Sequence, residues 1–192
     1  KINKLGQDLT KEDLQKELNI ILGDLDTSNV TDMELMFYRA GYSSEEIVLD
    51  LSGLDTGKVT TMYSMFREFG GYASYALDVS TFDTGNVTNM SRMFQGVGRN
   101  SDSFTLNLSG LNTSKVTDMS YMFYQTGKNN TSFSLDLNHF DTREVIDMHY
   151  MFYEAKSFNQ PIGLWNVHNV KDMNYMFCFA VAFNQSLEFW NV

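Results

Sequence analysis

The chain has 192 residues, 43% of them apolar, with a formal charge of −10 and a pI near 4.6. That is enough apolar material for a continuous core, but the acidic balance speaks against nucleic acid and against electrostatic docking on anionic lipid, both of which need Lys and Arg. The single cysteine, Cys178, excludes an internal disulfide framework, and neither a leader nor an apolar run near the roughly 20 residues of a membrane span is present in these residues.

The first segment, 1–22, differs from everything after it. Thr10-Lys11-Glu12-Asp13 reads as a helix start, with Leu14, Leu18 and Ile21 on one side, so a capping helix leading into the first coil is expected there. From about residue 23 the sequence repeats. Val-x-x-Met-x-x-Met-Phe occurs at Val30/Met33/Met36/Phe37 and again from Val59, Val87, Val116, Val145 and Val170, so successive copies lie 29, 28, 29, 29 and 25 residues apart. All 12 methionines fall inside these six motifs. Self-similarity at this period is the mark of a repeat architecture.

A second block precedes the motif. It reads Leu-Asp-Leu-Ser-Gly-Leu-Asp-Thr at 49–56, Leu-Asp-Val-Ser-Thr-Phe-Asp-Thr at 77–84, Leu-Asn-Leu-Ser-Gly-Leu-Asn-Thr at 106–113 and Leu-Asp-Leu-Asn-His-Phe-Asp-Thr at 135–142. Period-two alternation is the signal of a half-buried strand, which puts Leu49/Leu51, Leu77/Val79, Leu106/Leu108 and Leu135/Leu137 inside. The two last copies, around Trp165-Asn166 and Trp190-Asn191, belong to shorter coils. The chain reaches Val192 just before another Val-x-x-Met is due, so the array is expected to be truncated at the C-terminus.

The motif spacing fits one side of a helical turn, or else an extended Val-Thr-x-Met segment followed by a 3₁₀ or α turn; β-branched Val-Thr favours the second. Gly41, Gly70, Gly98 and Gly127 stand four residues beyond the motif Phe, where a left-handed residue would stop the turn. The expected fold is an α/β repeat solenoid, leucine-rich-repeat-like, over 23–192. Its right-handed coils of about 25–29 residues carry a parallel β-sheet on one side and short helical or 3₁₀ turns opposite. Methionine suits the layer beneath the turns because its thioether fills irregular gaps; Cu(I) binding by that stripe is the weaker reading.

Asp-Thr-x-x-Val-Thr-x-Met-x-x-Met-Phe, joined in later coils by Phe-Asn-Gln-x-Ile-x-x-Trp-Asn-Val, resembles the bacterial surface-protein repeat of Listeria-type lipoproteins and mycoplasma proteins, the BspA-like leucine-rich-repeat family. The likeness spans roughly residues 18–192. It implies a solenoid displayed outside the cell and used for attachment or protein binding, with no catalytic residues to carry over.

Candidate sites follow from the columns. The outward strand positions Asp50/Ser52, Asp78/Ser80, Asn107/Ser109 and Asp136/Asn138 are the best ligand-facing set, with a solvated polar surface as the plain alternative. Tyr121, Tyr150 and Tyr175 stand between the two motif methionines and could contact a sugar or a protein, since tyrosine offers apolar area at low entropic cost. The Asp/Asn column at 26, 55, 83, 112, 141, 166 and 191 reads as a structural ladder capped by threonines, with calcium between coils as the alternative. Regular threonine columns suggest ice binding only weakly, because they break at Ile146 and Lys171. His139, His149 and His168 are scattered through different columns, so neither a nucleophile–base pair nor a metal-ligand spacing appears, and no cofactor is expected. The reading is a non-enzymatic extracellular domain binding a protein or glycan at the cell surface, its competitor a structural spacer without a ligand.

Overall fold

The computed structural model describes residues 22–191, apart from 45, 131 and 132. The capping helix expected over 1–22 thus lies outside the described residues, save for Leu22, which is buried.

Two parallel ladders join successive repeats. The first is a three-stranded sheet of β1 (Glu46–Ile47), β2 (Ser74–Asp78) and β3 (Phe104–Asn107) in the order β1-β2-β3, with Leu77 opposite Leu106 and Asp78 opposite Asn107. Along β2, Tyr75 and Leu77 are buried while Ser74, Ala76 and Asp78 are exposed, the alternation a pleated strand requires. These strands end sooner than the Leu-x-Leu blocks suggest, and Leu49–Leu51 and Leu135–Leu137 lie in none. The reason is local. Asp50, Asp78, Asn107 and Asp136 each accept the backbone N–H two residues on, which bends the chain into a turn where an extended run would continue.

The second ladder runs through isolated parallel bridges, Asp32 to Thr61 to Asn89 to Asp118 to Asp147 to Asp172, and spans all six motifs. Around it the motif segment accounts for its N–H groups by alternation. Phe66, for example, donates to the Met93 carbonyl of the next repeat at 3.0 Å, whereas Met65 and Arg67 donate to Met62 and Ser64 in their own repeat at 3.2 and 3.1 Å. The same alternation recurs in the other repeats. The expected helical or 3₁₀ turn is therefore replaced, among the described residues, by overlapping four-residue turns. A helix would keep every amide within its own turn and leave none to bind the neighbouring repeat. Because the turns also return to one side after three or four residues, Met, Met and Phe still point inward and the sequence spacing cannot tell the two apart.

These turns need left-handed residues at fixed places. Leu35, Ser64, Arg92, Tyr121, Tyr150 and Tyr175 all have φ between 54° and 59°, as does a second column holding Arg39, Glu68, Gln125, Glu154 and Phe179 at 52° to 60°. Gly41, Gly70, Gly98 and Gly127 are also left-handed, as expected, but for a further reason: a Cβ there would meet Ile47, Tyr75, Phe104 or Phe133 at 2.1–2.5 Å. The glycine leaves room for an inward side chain of the segment that follows.

The core is built of like on like. Phe37, Phe66, Phe94, Phe123, Phe152 and Phe177 form one stack with centroids 5.3–5.9 Å apart and planes within 8° of parallel. Eight methionines, from Met62 to Met151, are wholly buried beside it. Replacing Phe94, which has a ring on each side, by alanine should cost about 3–5 kcal/mol in a urea melt. Ser64→Gly should instead stabilise by about 1 kcal/mol, since Ser64 is left-handed and its buried Oγ has no hydrogen-bond partner, a double cost that glycine removes.

Candidate functional site

The strand-side candidates are exposed, apart from half-buried Ser80, yet they do not converge. Asp78 and Asn107 pair across the sheet, whereas Asp50 and Asp136 stand outside the strands, and Ser52, Ser80, Ser109 and Asn138 sit in the turns that follow. Ser52 gives both its N–H (3.0 Å) and its hydroxyl (2.7 Å) to Asp50 Oδ1, and Asn138 binds Asp136 Oδ1 in the same double manner at 3.1 and 2.9 Å. These bonds from Ser52 and Ser80 hold the carboxyls of Asp50 and Asp78 below the usual carboxylate range. The row is a series of separate turns, each using one oxygen to shape its own backbone.

The Asp/Asn column is built the same way. Asp26, Asp55, Asp83, Asn112, Asp141 and Asn166 each accept the N–H two residues later at 3.0–3.1 Å. The adjoining Thr27, Thr56, Thr84, Thr113 and Thr142 donate their hydroxyls to the Asx carbonyl of the next repeat at 2.9–3.0 Å. These are staples between repeats.

The tyrosines do come together. Tyr121, Tyr150 and Tyr175 stack with centroids 4.9 Å apart at both steps, and the Arg92 guanidinium lies 4.1 Å over the outer side of the Tyr121 ring. Left-handed backbone at this column aims each ring alike. A second column, Tyr124 and Tyr153, stacks beside it at 5.0 Å, with Tyr150 and Tyr153 5.3 Å apart and Phe179 edge-on to Tyr153 at 5.7 Å. Burial, then the neighbouring phenols, pushes the Tyr150 hydroxyl above its ordinary range, so it stays a neutral donor and acceptor. Earlier repeats hold arginine on aromatic rings in the same segments, Arg67 over Tyr38 at 5.3 Å and Arg39 over Tyr42 at 4.4 Å. Nine of the 10 tyrosines and four of the five arginines fall in these turn segments, though the chain as a whole is strongly acidic.

Reading one column at a time finds Tyr121, Tyr150 and Tyr175 but misses Tyr124, Tyr153 and the Arg92 cap. The neighbouring column, Tyr38/Arg67/Gln95/Tyr124/Tyr153/Cys178, carried the signal. Also missed is a cluster in which Asp147, His149 and Asp172 bring one ligand atom each within 4.8 Å of the others. His149 Nδ1 lies 2.5 Å from Asp147 Oδ1, and its ring stands edge-on to Tyr121 at 4.8 Å.

Among the described residues no helix is long and apolar enough to cross a membrane. Residues 10–131, and again 99–192, match the model of the family described as Mycoplasma protein of unknown function, DUF285, and the chain belongs to that family. The two matches overlap, as they should in a chain whose units recur. No curated protein and no solved structure matches the chain.

The staples can be tested directly. The buried Thr84 Oγ1 donates to the Asn112 carbonyl at 2.9 Å and accepts the Asn112 N–H at 2.7 Å. Thr84→Val leaves that amide without its partner and should cost about 1–3 kcal/mol. Asp83→Asn should change stability by less than about 0.5 kcal/mol at neutral pH, because an amide oxygen fills the same role at Asn112. Paired chemical-denaturation curves distinguish the two.

Proposed function

We propose that this member of the DUF285 family is a non-enzymatic cell-surface repeat domain that mediates adhesion by binding a protein. Its fold, on this reading, is a leucine-rich-repeat-like solenoid of right-handed coils. The resemblance to BspA-like surface proteins supports both the fold and a place outside the cell. One observation carries the binding role: a preassembled tyrosine ladder, capped by Arg92, on the turn side of the repeats.

Tyrosine and arginine are the residue types that most often dominate protein interfaces, because they bring large contact area with a polar end. Here their side chains are already ordered by stacking, so little rotamer freedom remains to be lost on binding. Along its inner rings, Tyr121 and Tyr150, the ladder also favours a protein over a sugar. Both sides of the Tyr150 ring are covered by Tyr121 and Tyr175, so only its edge and hydroxyl reach a partner. A sugar that stacks needs an open ring surface.

The structural-spacer reading draws on the Asx and threonine columns, whose polar atoms serve hydrogen bonds within and between repeats. Beads coated with the purified chain and laid on an epithelial monolayer separate these readings. The expected result is protease-sensitive adhesion that survives glycosidase treatment. The Tyr121→Asn/Tyr150→Asn variant, which keeps residues tolerant of left-handed backbone, should weaken it at least about 30-fold, corresponding to a hot spot of about 2 kcal/mol. Asp50→Lys, Asp78→Lys and Asp136→Lys together should change it less than about threefold, in keeping with peripheral charges. The reverse pattern would move the site to the strand side, and no adhesion by the unaltered chain would favour the spacer.

A further inference from the structure

The bridge column Asp32/Thr61/Asn89/Asp118/Asp147/Asp172 has one task in the fold, to accept the N–H two residues ahead. A neutral side chain performs it at Thr61 and Asn89. Yet three consecutive rungs, Asp118, Asp147 and Asp172, are carboxylates stacked one repeat apart, and neither Asp118 nor Asp172 has an ion-pair partner among the described residues. Like charges at that spacing repel, as they do at Asp26, Asp55 and Asp83, but among the described residues the run at 118, 147 and 172 is the one that has a histidine within ligand distance. The column two residues on accepts varied residue types, Glu34, Tyr63, Ser91, Ser120 and Asn174 among them, and places its one histidine, His149, beside two of the three carboxylates. Edge contacts with Tyr121 and Tyr150, at 4.8 and 5.8 Å, hold the imidazole there.

We propose that Asp147, His149 and Asp172 bind a divalent transition-metal ion of the Zn²⁺ type, joining the fifth repeat to the sixth. Ligand atoms on one tetrahedral Zn²⁺ stand roughly 3.3 Å apart, given bonds of about 2.0–2.1 Å. The three ligand atoms already lie within 4.8 Å of one another, so binding asks them to draw together by little more than an ångström. One imidazole and two carboxylates suit this class of ion; Ca²⁺ asks for six or more oxygens and Cu(I) for sulfur. Three protein ligands leave a fourth position to water or to an outside donor. The site adjoins the tyrosine ladder but stands independently of any adhesive role.

Calorimetric titration of the whole chain with ZnCl₂ tests it without a partner molecule. One saturable site per chain is expected, with affinity lowered at least about tenfold in His149→Ala and in Asp172→Asn, and unchanged in His168→Ala and Cys178→Ser. Should either ligand variant fail to fold, Co²⁺ added to the unaltered chain gives the same answer by NMR, broadening the His149 imidazole before those of His139 and His168. The absence of saturable binding would overturn the proposal. So would affinity that follows Cys178 or His168, or broadening that spares His149.

Discussion

The rest of the structure depends on the in-register hydrogen bonding of equivalent residues in successive repeats. Once Phe66 donates to Met93 and Phe94 to Met122, every side chain is stacked on its own counterpart one repeat away. Each column must then be compatible with itself. Phenylalanine meets that demand by parallel stacking, methionine by its adaptable shape, and Asx or threonine by turning its polar atoms to the backbone. Runs of like charge, at Asp26, Asp55 and Asp83 and again at Asp118, Asp147 and Asp172, meet it least well, and in the second run His149 stands against Asp147.

The same constraint decides the backbone. An amide in a motif segment either crosses to the next repeat or closes a turn within its own, and the two kinds alternate. Left-handed residues are the geometric consequence, and they recur at the same place in each repeat whatever the side chain, from Leu35 and Ser64 to Tyr175. Glycine leaves room for a neighbouring ring at Gly70, Gly98 and Gly127, and for Ile47 at Gly41.

Regularity and function consequently separate. The most regular polar columns, at Asp83 and Thr84 and their counterparts, are taken up by turns and staples. The columns that vary, where Arg92 gives way to Tyr121 or Ser120 to His149, serve the turns through their backbone, which leaves the side chain free to differ from repeat to repeat. In this molecule they meet on the turn side, around the fourth to sixth repeats, which gathers the aromatic ladder and the Asp–His–Asp cluster into one neighbourhood.

The sequence by itself determined the period, the inward Met, Phe and Leu columns, the left-handed glycines, and the structural character of the Asx–Thr pairs. Each is set by residue type at a fixed spacing and needs no knowledge of neighbours. Only the tertiary structure decided that the motif forms crossed turns, because a helix and a turn spiral return apolar residues to the same side at the same intervals. It alone ended β2 at Asp78, where the Asx bond to Ser80 competes with the ladder. It alone joined Tyr124 and Tyr153 to the tyrosine column and set His149 against Asp172, since those contacts cross from one repeat to the next and no separation along the chain encodes them.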